Sequence, residues 1–355
     1  MSDNSCADVL VPLRNLSNAI KCIRERMKDG ESNESNGDFN LTNFWETLTQ
    51  AAKATSQEAT KLSVAFSKPP LPSKLDSARL AESIQKRLLA LSTIYYWFPK
   101  SQGKWISSIF TLCIAECITL RKPIREATVQ VLDGVVQLLD ILLVSPLQSI
   151  SQEQLMSTGG VWASCDQFDH LPKDNRAAVL DMVASYIAMV KDAREEMEQA
   201  LSESQDPFSD VLDNDEIDAR GNQDTYWSQT DRQLISKCMG LIKAAGACLR
   251  KFSNAVHKNG KVDTPENIAQ LDDLADSSRE ISPSVDDLVL SLYPPVDYTA
   301  VDQIAGKLAF TLKKSLQIIR SCHFCLEADM SWVRFLEGAV DHNLQEVKLL
   351  SHGSS

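Results

Sequence analysis

Few residues in this 355-residue chain stand at spacings that chemistry could use, and the first is Cys322-His323-Phe324-Cys325. A Cys-x-x-Cys pair is half of a zinc site or the core of a dithiol redox centre. No second matching pair follows it, so a tetrahedral metal would lack half of its ligands. Packing at the end of a long helix is the expected role of both thiols. Cys113 and Cys117, a one-turn pair in an apolar stretch, are read the same way. The histidines, His170, His257, His323, His342 and His352, are scattered. None has the two-histidine spacing, with a glutamate between, that holds zinc in metalloproteases. The chain has no phosphate-cradling glycine loop, nucleophile elbow or kinase signature. Glu195-Glu196-Met197-Glu198, Asp272-Asp273 and Asp286-Asp287 are the acidic candidates. Adjacent helical residues diverge by about 100°, so these carboxylates do not converge on one proton or metal, and solvated faces are expected. The expectation is no catalytic residue, no metal and no cofactor, hence a non-enzymatic protein that works by binding other proteins.

Composition narrows the partners. A net charge of −12 repels phosphate backbones, which excludes direct nucleic-acid binding. Nine cysteines, an odd number thinly spread, fit a reducing compartment, and Met1–Asp8 is too polar for a signal peptide; cytoplasm and nucleus are the expected locations. Trp105–Leu120 is the most apolar window, but it contains Glu116 and falls short of the roughly 20 residues that cross a bilayer, so no membrane span is expected.

The elements that must present any binding surface are helices throughout, because apolar residues recur at three and four and breakers are sparse, with 13 Gly and 13 Pro. Leu10, Leu13, Leu16, Ile20, Ile23 and Met27 make a first stripe, followed by the polar run Asp29–Asp38. Phe44 to Phe66 makes a second, stopped by Pro69-Pro70-Leu71-Pro72, after which Ser73 caps a third carrying Leu80, Ile84, Leu88, Leu91 and Tyr95. Pro123 suits the first turn of the next helix, whose face is Val131, Val135, Leu138, Leu139 and Leu142. Gln152–Cys165 predicts a shorter helix interrupted at Gly159-Gly160, and Asp174 or Asn175 caps a long one through Leu201. Glu203–Asp231 holds nine acidic residues against Arg220 and is too polar to bury a core. Beyond it come the stripe Leu234 to Val256, a helix opened by Thr264-Pro265-Glu266, a short helix restarted at Ser282-Pro283 and capped by Ser282, and two final stripes, Val301–Phe324 and Trp332–Leu350.

The all-α pattern divides into an N-terminal helix and polar linker (1–40), an N-terminal bundle (41–202), an acidic flexible linker (203–231) and a C-terminal bundle (232–355).

Ile281-Ser282-Pro283-Ser284-Val285-Asp286-Asp287-Leu288, running through Ser291 to Tyr293-Pro294-Pro295, resembles the signature of the cyclin-D-binding family, also called the Maid-homologue or GCIP family. The likeness extends through Val190–Ala200, Tyr226-Trp227-Ser228 and Gln270-Leu271-Asp272-Asp273. Upstream it includes Phe44-Trp45, Leu71-Pro72-Ser73, Tyr95-Tyr96 and Ile118-Thr119-Leu120-Arg121. The resemblance implies antiparallel helical bundles similar to those of vinculin and α-catenin. It also implies a negative regulator of cell-cycle progression and transcription, with D-type cyclin, helix-loop-helix transcription factors and signalling adaptors as partners. In this family the loop near Gly103 leads almost directly into Ile118, whereas here Lys104–Cys117 intervenes. That stretch is either a helix extension of about four turns or a splice insertion that disturbs the bundle. A vinculin-like adhesion or cytoskeletal scaffold is the alternative function, on fold analogy alone.

Two sites follow. Asp231–Lys258 and Thr264–Ile281 read as helix, loop, helix, with Leu234, Leu241, Leu249, Phe252, Leu271, Leu274 and Ile281 as the candidate partner-binding hairpin; two neighbouring bundle helices are the preferred reading of the same pattern. The place of a DNA-binding basic region is taken by the acidic segment. Ser282 before Pro283 is a candidate phosphorylation site. The Arg-x-Leu strings at Arg14, Arg87 and Arg334 lie in helical stripes, where the leucines are expected to be core.

Overall fold

A computed structural model describes residues 3–28, 40–97, 118–144, 151–203 and 227–353. Lys104–Cys117, and with it Cys113, Cys117 and most of the apolar window, lies outside the described residues, as do 204–226 of the acidic segment. Among the described residues there are eleven α-helices and no strand. They fall into two compact units, Met1–Asp174 and Asn175–Ser355.

The first unit holds α1 (Asp3–Lys28), α2 (Leu41–Ala65), α3 (Lys74–Trp97), α4 (Ile118–Val144) and α5 (Gln152–His170). Packing order is not chain order: α1 lies between α3 and α4, and α2 between α3 and α5, while α5 closes the ring against α4. Each helix turns one stripe inward, for example Leu13, Leu16, Ile20, Ile23 and Met27 from α1, all buried. Burying a side chain of this size contributes about 1.5–3 kcal/mol, and this is what holds α1 to the bundle rather than leaving it a separate element. Asn40 caps α2 by accepting from the Asn43 amide, and Ser73 caps α3 by accepting from the Asp76 amide. Pro123 stands inside α4, the described helix beginning a turn upstream at Ile118. By length and composition α4 could cross a bilayer, yet Val131, Leu132, Val135, Leu138, Leu139 and Leu142 are buried in the bundle. The expected interruption of α5 at Gly159-Gly160 does not occur; the helix runs through both. A lone glycine costs a helix only about 1 kcal/mol, and the packed residues on either side hold the pair helical.

The second unit holds α6 (Asn175–Glu203), α7 (Gln229–Asn259), α8 (Pro265–Arg279), α9 (Ile281–Ser291), α10 (Tyr298–Arg320) and α11 (Met330–Gly353). Here α7 packs between α6 and α11, α10 follows α11, and α8 with α9 forms one broken rod between α10 and α6. The stripe Leu234, Cys238, Leu241, Ile242, Ala245, Leu249, Phe252 and Val256 is fully buried at the centre. Val190, Ala193 and Met197 of α6 enter the same core. The units therefore divide at Asp174/Asn175, upstream of the acidic segment, because the apolar face of α6 is spent on α7, α8 and α9.

Thr264 caps α8 from its side chain and Pro265 opens the helix. The break comes at Glu280, two residues before the expected Ser282. Pro283 has no N–H to offer the carbonyl four residues back, and its ring crowds that carbonyl, so the rod must break upstream of the proline.

Candidate partner-binding surfaces

The Cys-x-x-Cys turn follows α10. Cys322 is buried and its Sγ lies 3.3 Å from the Ile318 carbonyl oxygen; burial first, then Asp273 and Cys325, push its thiol up to about 12. Burial also raises Cys325, so neither thiol is a ready nucleophile or ligand at neutral pH. Between them His323 is locked. The Lys261 amide donates to Nε2 at 2.9 Å, which leaves the proton on Nδ1 to be donated to Gln270 Oε1 at 2.8 Å. Gln270 Oε1 also accepts the His323 amide, and Asn259 Nδ2 donates to the Phe324 carbonyl. The turn is thus a tie between the α7–α8 loop, α8 and the end of α10, in agreement with packing. Burial is the first cause of the lowered His323 pKa. The six cysteines whose side chains are described are free thiols, and no group of three or more His, Cys, Asp or Glu could hold a metal among the described residues.

The seven hairpin residues, Leu234, Leu241, Leu249, Phe252, Leu271, Leu274 and Ile281, are all fully buried in one core. They are brought together, but they face their own bundle. Ser282 is 2% exposed, inside α9, with its Oγ 3.4 Å from Met189 Sδ. It makes no cap: the residue at the helix start is Glu280, whose side chain makes no capping hydrogen bond. Of the Arg-x-Leu leucines, Leu16 and Leu336 are core, while Leu89 is 38% exposed.

Most residues that carry the family likeness prove structural. Ser228 and Asp231 form a capping box on α7, and Trp227 donates its indole N–H to the Leu292 carbonyl. Tyr298 donates to Asp231 at 2.5 Å. Asp272 is buried and accepts from Asn175. Trp45 donates to the Lys173 carbonyl, and the Lys173 ammonium stands 4.4 Å over the same ring. The signature along α9 has two sides: Ile281, Val285, Leu288 and Val289 are core, and Pro283, Asp286, Asp287 and Leu290 face outward. Leu290 is 70% exposed, as is Phe310 of neighbouring α10, with the Asp287–Lys307 ion pair of 3.0 Å between the two helices. Partial burial, Asp287 and Glu196 raise the carboxyl of Asp286, in that order. The exposed side of α9 carries two carboxylates, that of α10 carries lysines, and one large apolar side chain of each, Leu290 and Phe310, is left in solvent.

A second face was not visible as a surface in the sequence. Along α5 the buried side is polar at its start, where Gln154, Ser157 and Thr158 point inward. Gln154 Nε2 donates to the Ser63 carbonyl at 2.7 Å, and the hydroxyls of Thr158 and Ser63 lie 2.8 Å apart. The solvent side of the same turns is apolar: Leu155 is 54% exposed, Met156 69% and Trp162 45%. Between them a Cβ on Gly159 or Gly160 would meet no atom of the described residues beyond its own helix within 4 Å. The signal was available as apolar residues standing off the buried stripe Val161-Cys165-Phe168, and Gly159-Gly160 was instead read as a break.

The described residues define an all-helical protein, with large apolar side chains exposed on α5, α9 and α10. Family models described as "Grap2 and cyclin-D-interacting" match residues 47–203 (N-terminal) and 212–317 (C-terminal), and the chain belongs to that family. It is 58% identical to a Cyclin-D1-binding protein 1 homolog of Danio rerio, over 100% of this chain and 99% of that protein. It is 51% identical to the homolog of Xenopus laevis, over 97% and 99%. With Cyclin-D1-binding protein 1 of Homo sapiens it shares 40% identity, over 97% and 94%.

Proposed function

We propose that this chain binds a D-type cyclin and acts as a non-catalytic negative regulator of cell-cycle progression, in the cytoplasm and the nucleus. The observation that carries the reading is near-full-length similarity to proteins named for cyclin D1 binding, 40–58% identical to this chain. The physical frame is compatible with it. Two helical units offer outward apolar residues on α5, α9 and α10, and the candidate thiols and the histidine between them are engaged in packing or hydrogen bonds. The adhesion-scaffold alternative draws no support from the relatives' names. Titrating the purified full chain with a purified D-type cyclin tests the reading, with a cyclin of another class as control. Saturable one-to-one binding to the D-type cyclin alone supports it; no binding refutes it.

Antagonism of helix-loop-helix factors, without contact to DNA, is the second part of the proposal. Exposing the seven buried hairpin residues would forfeit on the order of 10–20 kcal/mol, more than a micromolar affinity of about −8 kcal/mol returns. Engagement therefore uses a locally opened α7–α8 hairpin of much lower cost, or an outer face. Hydrogen exchange of the intact chain with and without one purified factor separates these: faster exchange in α7 and α8 marks opening. Modification of Ser282 belongs to the same class of event, since its hydroxyl is reached only when α9 opens.

A further inference from the structure

We infer that Thr264, at the connection between α7 and α8, is a phosphorylation site of the folded chain, taking the γ-phosphoryl group of ATP from a proline-directed kinase. This goes beyond the cyclin-binding reading and does not depend on it.

Three hydroxyl residues of the sequence stand immediately before a proline: Ser145, Thr264 and Ser282. Ser145 lies outside the described residues. The other two are placed very differently. Ser282 is inside α9, with Ile281 on one side and Ser284 and Val285 on the other, all buried. Carrying its hydroxyl into a kinase active site withdraws Ile281 and Val285 from the core of the second unit.

Thr264 stands where the chain is already extended. Gly260 ends α7 at φ −62°, ψ 129°, and Thr264 itself has φ −131°, ψ 155°. The ring of Pro265 favours such angles in the residue before it, and an extended Thr-Pro is the form that a kinase cleft can seat. Lys261, Asp263 and Glu266 around it are exposed, and Thr264 and Pro265 are partly exposed. No helix has to unwind upstream of the acceptor. Downstream, the first turn of α8 rests on Thr264: the Asn267 amide donates to its Oγ1 at 3.2 Å and the Ile268 amide to its carbonyl at 3.1 Å. Seating Thr264 costs those two bonds at a helix end. The first core residue of α8 is Ile268, four positions on, so the interior stays closed.

The hydroxyl is also free to react. Its oxygen accepts from Asn267, while its own proton has no acceptor among the described residues. In the transfer Oγ1 attacks the γ-phosphorus of ATP, and the Oγ1–P bond forms as the bond to the bridging β–γ oxygen breaks. The hydroxyl proton passes to the catalytic aspartate of the kinase, and ADP leaves. The product carries three charged oxygens at the amino end of α8, where the helix dipole favours an anion, while Asp263 and Glu266 oppose it.

The test incubates the purified full chain with ATP and a mitogen-activated protein kinase, and separately with a cyclin-dependent kinase, and maps the phosphate by mass spectrometry. Unfolded peptides spanning 257–272 and 275–290 are the controls for the two dipeptides. The inference requires that the native chain be labelled at Thr264 at least about tenfold faster than at Ser282, and that the two peptides differ far less, since only the fold separates the sites. Thr264→Asn keeps a capping side chain but no acceptor hydroxyl, so label between Lys261 and Asn267 must vanish while the circular dichroism spectrum stays that of the wild type. A native chain unlabelled at Thr264 by both kinases would overturn the assignment, and so would labelling of Ser282 as fast as Thr264. Either result would leave the cyclin-binding proposal standing.

Discussion

Replacing Gly159 and Gly160 by alanine is expected to make the free protein more stable. Glycine in a helix interior costs about 0.8–1.0 kcal/mol relative to alanine, because the unfolded chain loses more freedom. That gain survives only if the added methyl meets no obstacle. At both positions no atom of the described residues outside the helix's own backbone and the neighbouring residues lies within 4 Å, so the double variant should gain about 1.5–2 kcal/mol. For a unit of this size the corresponding rise in Tm is about 3–8 °C. Urea titration followed by helical circular dichroism, together with a thermal scan, measures both. Gly240→Ala is the contrasting case: its Cβ would lie 2.0 Å from Asn343 Oδ1. To make room, Asn343 must swing away and give up its bond to the Ala339 carbonyl, so this variant should lose stability. A double variant at 159 and 160 that loses stability would refute the reasoning, since it would mean that the pair fills a role inside the bundle.

Other outcomes follow from the same packing and burial. Phe252→Ala should cost about 3–5 kcal/mol, because a fully buried ring at the centre of the second unit leaves a cavity; the urea midpoint checks this. His323, whose folded pKa lies below its ordinary value of about 6.5, binds a proton more readily when unfolded. Its contribution to stability is complete above pH of about 6.5 and is lost as pH falls through that value toward the folded pKa. Urea titrations at pH 7.5 and 5.5 should show a larger loss for the wild type than for His323→Gln. Incubation of the folded chain with a proline-directed kinase should leave Ser282 unmodified, and mild urea should expose it, as phosphopeptide mapping would show. Retention on duplex DNA should vanish at moderate salt, in keeping with a net charge of −12; a salt-resistant, sequence-selective gel shift would contradict this.

Helix content and the second core were legible because a 3.6-residue period leaves a dense signal where one helix is surrounded. Every residue of the Leu234 to Val256 stripe is buried, and Thr264-Pro265 opens α8 from its side chain and its fixed φ. Such signals are local. What escaped was set by tertiary context. The break at Glu280 was placed at Ser282 because a hydroxyl before proline reads as a cap, whereas the proline acts on the carbonyl four residues upstream. The partner of α6 could not be read from its stripe, because an apolar face states that a helix packs and not against what. The candidate hairpin residues, apolar and periodic, read in the sequence either as a partner-binding hairpin or as two bundle helices, and the fold places all seven inside one core. On α5 the sequence offered apolar residues on two sides, and only the fold distinguishes the side that packs from the side that is left over.

The measurement that bears most directly on the account is the affinity of the purified full chain for a purified D-type cyclin. Saturable one-to-one binding to the D-type cyclin, and none to a cyclin of another class, is the expected result. No detectable binding to the D-type cyclin, from a wild-type chain shown to be folded, would contradict it.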